Sequence, residues 1–210
     1  MEAQPEISSR RVARLAQDSR GVQTQENMIF RFNLAKTIQA SAVLLKGEPT
    51  HRMSRLRLLK LLYIADRESL TERARPITGD RPVAMDHGPV LTNTYGLIKG
   101  EDYLAPEWEK YVVREGRDAV LASDPGVGDL SRYEIAKLRD VTRKFQDRDD
   151  WDVAEFTHTF AEWIRNKPAP GSSKPIPIED VLDATGLLGL KDQIAADAAA
   201  EAAGRLLEST

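Results

Sequence analysis

The 210-residue chain is 41% hydrophobic, which provides enough apolar material for one sizeable core. Its 33 acidic and 30 basic side chains leave a net charge of −3, so no overall field favours nucleic acid or a membrane surface. The absence of cysteine excludes disulfides and thiolate metal sites, no apolar run approaches the roughly 20 residues that span a bilayer, and no signal peptide is evident. We therefore expect a cytoplasmic protein without a membrane partner.

The composition divides the chain into three parts. Residues 1–28 are mostly polar and predict a flexible arm, which is either solvated or folds onto a partner. Residues 29–190 carry the periodic apolar segments of one domain. Residues 191–210 predict an Ala-rich, acidic helical tail that docks on the domain, frays or pairs with another chain. The thin apolar stripe of this end has one residue every four positions: Leu190, Ile194, Ala198, Ala202 and Leu206.

The first two helices of the domain have clear apolar periodicity. Helical spacing begins near Asn33 and stops at Gly47. A second, central helix follows Ser54, which is a suitable N-cap, and ends near Arg75 because Pro76 restricts that residue to extended conformations. Its apolar face is so broad that we expect the rest of the domain to surround this helix. That face consists of Leu58, Leu59, Leu61, Leu62 and Ala65.

A strand and a tight turn follow the central helix. The apolar run Val83–Met85 predicts a short strand, and Asp86–Pro89 predicts the turn. Pro89 suits the first position of a helix, because its fixed φ fits there and its missing N–H would be unpaired anyway. We therefore expect a helix that starts at Pro89 and stops at Gly100.

The segment after Gly100 predicts β-structure. Residues 108–114 (WEKYVVR) and 119–122 (AVLA) are joined by four residues that include a glycine, which is typical of a β-hairpin. We expect this hairpin to form a small three-stranded sheet with Val83–Met85. The predicted fold class is therefore α+β and predominantly α-helical, a single domain with a small antiparallel sheet packed on a helical core.

The last third of the domain predicts three helices. Ser131 and Glu134 form a capping-box pattern that starts the first of them. The second begins at Asp150 and keeps its apolar spacing to Ile164. An exposed, proline-rich loop at residues 167–177 then leads to one short helix.

The sequence offers few candidates for chemistry. Its three histidines, His51, His87 and His158, lack the i, i+3 or i+4 spacing of a helical metal site, and we expect no metal and no cofactor. His87 stands in the turn at the expected helix N-terminus. A structural role in that turn is the leading interpretation, followed by an interaction surface and then by catalysis or metal binding. His158 is interpreted as a surface or helix-packing residue.

The carboxylates Asp66, Asp80 and Asp86 could cluster as in a metal-dependent nuclease, but arginines flank them. Charge pairing around an ordered loop explains the set more simply. The sequence contains no phosphate-binding loop, no nucleophile elbow and no cysteine nucleophile. We therefore expect that the protein is not an enzyme.

Residues 51–81 hold eight basic and four acidic side chains, which is the best argument for nucleic-acid binding. Most of these basic side chains lie in or beside a helix that is too apolar to enter a groove of DNA. The sequence also lacks the pattern of a DNA-binding helix-turn-helix motif. A solvated or ion-paired rim around the central helix is the simpler interpretation. An acidic partner, or a protein that binds RNA or nucleotides, docked on this face is the alternative.

Four short blocks carry a resemblance to a known family. They are Leu61–Glu68 (LLYIADRE), Pro76–Asp80 (PITGD), Met85–Val90 (MDHGPV) and Tyr95–Gly100 (YGLIKG). In this order they resemble the Panacea domain, the SocA-like antitoxin family of bacterial and phage genomes, and the resemblance extends over roughly residues 30–190. The motif residues that it picks out are Tyr63, Asp66, Arg67, Gly79, Asp80, Met85, His87, Gly88, Pro89, Tyr95, His158 and Trp163.

The resemblance implies an antitoxin of a toxin–antitoxin pair, which neutralises its cognate toxin by direct protein–protein binding. Members neutralise very different toxins, and the SocA branch delivers its toxin to a protease, so a proteolytic adaptor is the alternative. A DNA-binding regulator is less favoured. The MDHGPV turn would belong to the common core, and the hairpin tip and both chain ends would select the partner. The side chains offered as possible toxin contacts are Arg73, Arg75, Arg81, Leu190, Ile194 and Leu206.

Overall fold

The computed structural model describes residues 29–208, and the expected N-terminal arm, residues 1–28, lies outside this range. The helices are α1 (Leu34–Lys46), α2 (Arg55–Arg73), α3 (Thr92–Lys99), α4 (Ala105–Trp108), α5 (Arg132–Phe145), α6 (Asp150–His158), α7 (Ala161–Asn166), α8 (Ile178–Ala184) and α9 (Lys191–Glu208). The strands are β1 (Arg52–Ser54), β2 (Pro82–Met85), β3 (Gly88–Leu91), β4 (Val112–Glu115), β5 (Asp118–Leu121) and β6 (Ser173–Pro175). A 3-10 turn, Leu188–Leu190, precedes α9. The predicted α+β, predominantly helical fold class is confirmed.

The central helix α2 organises the core, as its apolar pattern predicts. The Ser54 hydroxyl caps its first turn by accepting a hydrogen bond from the N–H of Arg57 at 3.1 Å. The helix is buried without interruption from Arg57 to Asp66 and packs against α1, α5, α6 and β3. It ends at Ala74, which adopts the left-handed conformation. Because its neighbours lie on several sides, its apolar face is broad rather than a narrow stripe.

The strands of the described range form two antiparallel three-stranded sheets, not the single sheet expected. In the first sheet β5 lies between β1 and β4. In the second, β2 lies between β3 and β6, with Val83 opposite Val90 on one side and Pro175 on the other. The expectation that Val83–Met85 joins the hairpin is therefore wrong. The true third strands, β1 and β6, are three residues long, which is too short to show an alternating pattern in the sequence.

The helix expected to start at Pro89 starts at Thr92 instead. Pro89 belongs to strand β3, where it pairs with Ala84. A proline is tolerated there because β3 is an edge strand of its sheet and the missing N–H removes no ladder bond that the sheet needs. Similarly, Trp108 was expected in the hairpin but ends the short helix α4, and the hairpin starts at Val112.

The sequence signals for the later helices are confirmed, except that one predicted helix is two helices in the structure. Ser131 and Glu134 make both hydrogen bonds of the capping box, at 3.2 and 2.7 Å. The helix expected from Asp150 to Ile164 is two helices, α6 and α7, because Phe160 is extended between them. The proline-rich loop is exposed as expected, but it also contributes β6.

The C-terminal helix α9 docks on the domain, which is one of the three alternatives for the tail. Ile194 is only 3% exposed and belongs to the core, and Glu201 forms an ion pair with Arg75 at 2.6 Å. No helix within residues 29–208 has both the length and the apolar character that crossing a membrane needs.

Replacing Ile194 by alanine should therefore lower the free energy of unfolding by about 2 kcal/mol, because the change leaves a cavity between α9 and the core. Leu207→Ala is the matched control, since Leu207 lies on the same helix and is 80% exposed; it should stay within about 0.5 kcal/mol of wild type. Urea unfolding followed by circular dichroism measures both. Equal, small effects would show that α9 does not pack on the domain in solution.

Candidate functional site

The motif MDHGPV forms a tight hairpin turn between β2 and β3. Met85 pairs with Gly88, so Asp86 and His87 are the exposed connecting residues. Gly88 has φ +93°, and a Cβ there would lie 2.3 Å from Thr157 Oγ1 and 3.0 Å from Lys60 Nζ. The turn therefore requires a glycine, both for its backbone conformation and for the close approach of α2 and α6.

A buried lysine of the central helix binds the main chain of the turn. Lys60 lies in the middle of α2, is fully buried, and donates a hydrogen bond from Nζ to the carbonyl oxygen of Pro89 at 2.8 Å. Burial lowers the pKa of Lys60 from 10.5 to about 7, because the charged form loses its hydration. Lys60 is not among the site residues predicted from the sequence, although a lone lysine inside the apolar run LRLLKLLYIA is a usable signal.

Two further hydrogen bonds hold the turn. Trp163 of α7 donates from Nε1 to the carbonyl oxygen of Met85 at 3.0 Å. The N–H of Gly171, in the proline-rich loop, donates to the carboxylate of Asp86 at 2.6 Å. The turn is thus attached to three different segments of the chain, and its conformation is well defined.

The outer side of the turn carries aromatic rings. His87 is exposed and meets Trp151 of α6 edge-on, with ring centroids 5.1 Å apart and planes at 79°. Beside them, the half-buried ring of His158 stacks on Trp163 at 4.1 Å, which agrees with a helix-packing role. His87 lies in a hairpin turn and not at the helix N-terminus expected from the sequence.

Asp66 fixes the loop that follows α2. Its buried carboxylate accepts hydrogen bonds from the N–H groups of Ile77 and Thr78, at 3.1 and 3.0 Å, and from the Thr78 hydroxyl. Burial raises the pKa of Asp66 from 3.8 to about 7, against the opposing effect of the bonds from Thr78. Gly79 follows with φ +67°, and a Cβ there would lie 2.2 Å from the carbonyl oxygen of Arg31, so this loop packs directly on the chain before α1.

Asp80 caps the helix that follows the turn. It accepts hydrogen bonds from the N–H groups of Asn93 and Thr94, at 3.0 and 2.8 Å, and from the Thr94 hydroxyl at 2.8 Å. The residue at the N-cap position of α3, Leu91, has no side chain that could do this. Burial raises the pKa of Asp80 above its usual value. The charge pairing expected for Asp66 and Asp80 is therefore wrong, because the donors to these carboxylates are main-chain N–H groups, hydroxyl groups and the side-chain amide of Asn93, and not guanidinium groups.

Tyr63 and Arg67 bind a buried glutamate that sequence analysis did not single out. Glu162 of α7 is fully buried and accepts hydrogen bonds from the Tyr63 hydroxyl at 2.9 Å and from Arg67 Nε at 2.7 Å. The Arg67 guanidinium also lies 4.3 Å from the centroid of the Phe160 ring. Burial, and then the charge of Glu162, raise the pKa of Tyr63 well above its usual value. This cluster connects α2 to α7, the helix that carries Trp163.

The side chains offered as toxin contacts have different environments. Arg73, Arg75 and Arg81 are exposed, and Arg73 stacks over the ring of Tyr133 at 4.7 Å. Leu190 is exposed. Ile194 needs correction, because the docked α9 buries it in the core. The side chain of Leu206 lies outside the described part of the structure.

The remaining motif residue, Tyr95, is half-buried on α3, and the Lys99 ammonium lies 5.2 Å from the centroid of its ring. Within residues 29–208, no group of three or more histidine and carboxylate side chains is arranged to hold a metal ion. The site is therefore a rigid surface turn on a buried polar framework.

A family model described as "Antitoxin SocA-like, Panacea domain" matches residues 58–164. The chain belongs to this family. The matched segment begins in α2 and ends in α7, so the SocA-like domain contains Lys60, the whole hairpin turn and Trp163. No curated protein and no solved structure matches the chain. Membership confirms the resemblance carried by the four sequence blocks and suggests an antitoxin role.

Gly88→Ala should be markedly more destabilising than Gly116→Ala. Both glycines have positive φ, but a Cβ at Gly116 meets no atom within 4 Å. Gly116→Ala should therefore cost about 1 kcal/mol, from backbone strain alone, and Gly88→Ala about 3 kcal/mol, because the methyl group also collides with Thr157. Guanidinium unfolding measures the difference, and Thr157→Ala should recover part of it. Equal losses at the two glycines would contradict the close contact with α6.

Lys60→Met should change the dependence of stability on pH. Because the pKa of Lys60 falls from 10.5 to about 7 on folding, the folded chain binds fewer protons than the unfolded chain between these pH values. The free energy of unfolding of the wild type should therefore rise with pH across this interval, by up to about 1.4 kcal/mol per pH unit, and Lys60→Met should lose this rise. Denaturant unfolding of both proteins at pH 7 and pH 9 measures this change in the free energy of unfolding. Lys174→Met, on the exposed strand β6, is the control and should keep the wild-type slope.

Proposed function

We propose that the chain is the antitoxin of a bacterial or phage toxin–antitoxin pair, that it acts in the cytoplasm, and that it neutralises its cognate toxin by direct protein–protein binding. The observation that carries this proposal is the match to the SocA-like antitoxin family, which extends over the central helix, the hairpin turn and α7. The absence of cysteine suits a reducing compartment.

The use of the buried ionisable groups supports binding rather than catalysis or cofactor chemistry. Lys60 donates a hydrogen bond to the carbonyl of Pro89. Asp66 and Asp80 accept hydrogen bonds from main-chain N–H groups, and Glu162 accepts them from the side chains of Tyr63 and Arg67. Each of these groups stabilises the fold around the turn. What the turn presents to the outside is an exposed surface, which is what a binding protein requires.

The basic side chains of residues 51–81 support a protein partner over nucleic acid. Seven of the eight contact other groups of the chain: Arg52, Arg55, Arg57, Lys60, Arg67, Arg73 and Arg75. Arg57, for example, donates to the carbonyl oxygens of Phe145 and Arg148 at 2.7 Å. Guanidinium groups engaged in this way are not displayed as a row along which a phosphate backbone could lie.

Co-expression with the product of the adjacent reading frame tests the proposal. The neighbouring protein alone should arrest growth, and this chain should restore growth and co-purify with it in a stable complex. Restored growth with a collapse in the amount of the neighbouring protein would favour delivery to a protease instead. Strong, salt-dependent binding of the purified chain to its own operator DNA, without any complex, would favour a regulator. An adjacent protein that neither arrests growth nor binds would overturn the antitoxin assignment.

A further inference from the structure

Two exposed aromatic rings, those of His87 and Trp151, lie side by side on the outer side of the turn. Trp151 is 58% exposed, although tryptophan is among the side chains that gain most from burial. Its contact with His87 is a contact between two exposed side chains, one on α6 and one on the hairpin turn. We define the His87–Trp151 surface as these two rings together with the exposed carboxylates of Asp152 and Glu155 on α6.

This surface is held rigidly. Lys60 and Trp163 bond to the main chain on either side of His87, at Pro89 and Met85. Trp151 lies in the first turn of α6. The carboxylate of Asp149 caps this helix by accepting a hydrogen bond from the N–H of Asp152 at 2.8 Å. A partner that binds here would not have to order a loop first, so little conformational entropy would be lost on association.

The surroundings of Trp151 are acidic. Residues 147–155 contain five acidic side chains and one basic side chain, Arg148. The Arg148 guanidinium lies over the ring of Phe145, and Asp150 is within 3.7 Å of Arg57. Asp152 and Glu155 are exposed beside Trp151, and Glu155 lies one helical turn from it on the same face. Charge complementarity therefore selects a partner surface that carries basic side chains around an apolar pocket for the indole.

We propose that the cognate toxin binds the His87–Trp151 surface, with Trp151 inserted into an apolar pocket that basic side chains of the toxin surround. This inference rests on the proposed antitoxin function and specifies the face of the antitoxin that neutralises. An exposed tryptophan on a preorganised support is the kind of residue that contributes most of the affinity in protein interfaces. The acidic side chains around it accelerate association and set the orientation of the partner.

The test compares two exposed aromatic residues. Trp151→Ala and Tyr103→Ala both remove an exposed ring, since Tyr103, between α3 and α4, is 87% exposed. Both variants should unfold at the wild-type denaturant concentration. Calorimetric titration with the purified toxin should show a loss of affinity of about 30-fold or more for Trp151→Ala and less than about 3-fold for Tyr103→Ala. Equal affinities of the two variants would overturn the proposed surface.

A second variant keeps both rings and probes the charge. Reversal of the two carboxylates, Asp152→Lys with Glu155→Lys, should slow association with the toxin about tenfold in low salt, and the difference from wild type should shrink in high salt. If Trp151→Ala does not fold, this charge-reversal variant still tests whether the toxin binds the His87–Trp151 surface. An association rate equal to that of wild type would contradict an acidic docking face.

The two levels of the proposal fail differently. If the wild-type chain neither binds the adjacent protein nor restores growth, the antitoxin function fails and the surface assignment falls with it. If the wild type neutralises the toxin and both Trp151→Ala and the charge reversal neutralise it equally well, the antitoxin function stands and only the His87–Trp151 surface is wrong.

Discussion

The hydrogen bond from the buried amino group of Lys60 to the carbonyl of Pro89 is the interaction on which the site depends. A lysine in the middle of a buried helix has to find an acceptor, because a buried donor left without one costs about 1–3 kcal/mol. That requirement brings the β2–β3 turn directly onto α2. The turn can come so close only because residue 88 lacks a side chain. Trp163 then bonds to Met85 at the other end of the same turn, so the core and the exposed hairpin form one packed unit.

Three buried carboxylates extend this unit beyond the turn. Asp66 accepts hydrogen bonds from the loop after α2, and Glu162 connects α2 with α7. Asp80 caps α3 although it lies more than ten residues before that helix in the chain. Asp66 and Asp80 accept from main-chain N–H groups that have no local partner, so they take the place of local caps and turns, whereas Glu162 accepts from the side chains of Tyr63 and Arg67. All three are at most 8% exposed, so little water reaches this layer, and the burial raises the pKa of Asp66 and of Asp80. The loop between α2 and β2 is therefore as much part of the core as the helices.

Signals that act over a few residues predicted the structure well, and contacts between distant residues could not be predicted. Ser54, the Ser131–Glu134 capping box and Gly100 mark helix ends through hydrogen bonds within one turn, and all three are found where expected. Pro89 shows the limit: its fixed φ suits both a helix start and an edge strand, and only pairing with β2 decides for the strand. In the site, the donors to Asp66 lie 11 and 12 residues away, and those to Asp80, apart from the N–H of Arg81, lie 13 and 14 residues away. Glu162 lies 95 residues from Arg67, so charge alone suggested the nearest arginines instead.

The anchors of the turn bind main-chain groups and not the exposed side chains of the turn. Lys60 and Trp163 bond to main-chain carbonyls, which are present whatever side chains stand at positions 86 and 87. Asp86 does contribute a side-chain bond, to Gly171, but that bond joins the turn to an exposed loop and not to the core. The exposed side chains on and beside the turn can therefore change without disturbing the support beneath them. The buried polar framework determines the conformation of the turn, and the exposed side chains contribute little to that conformation.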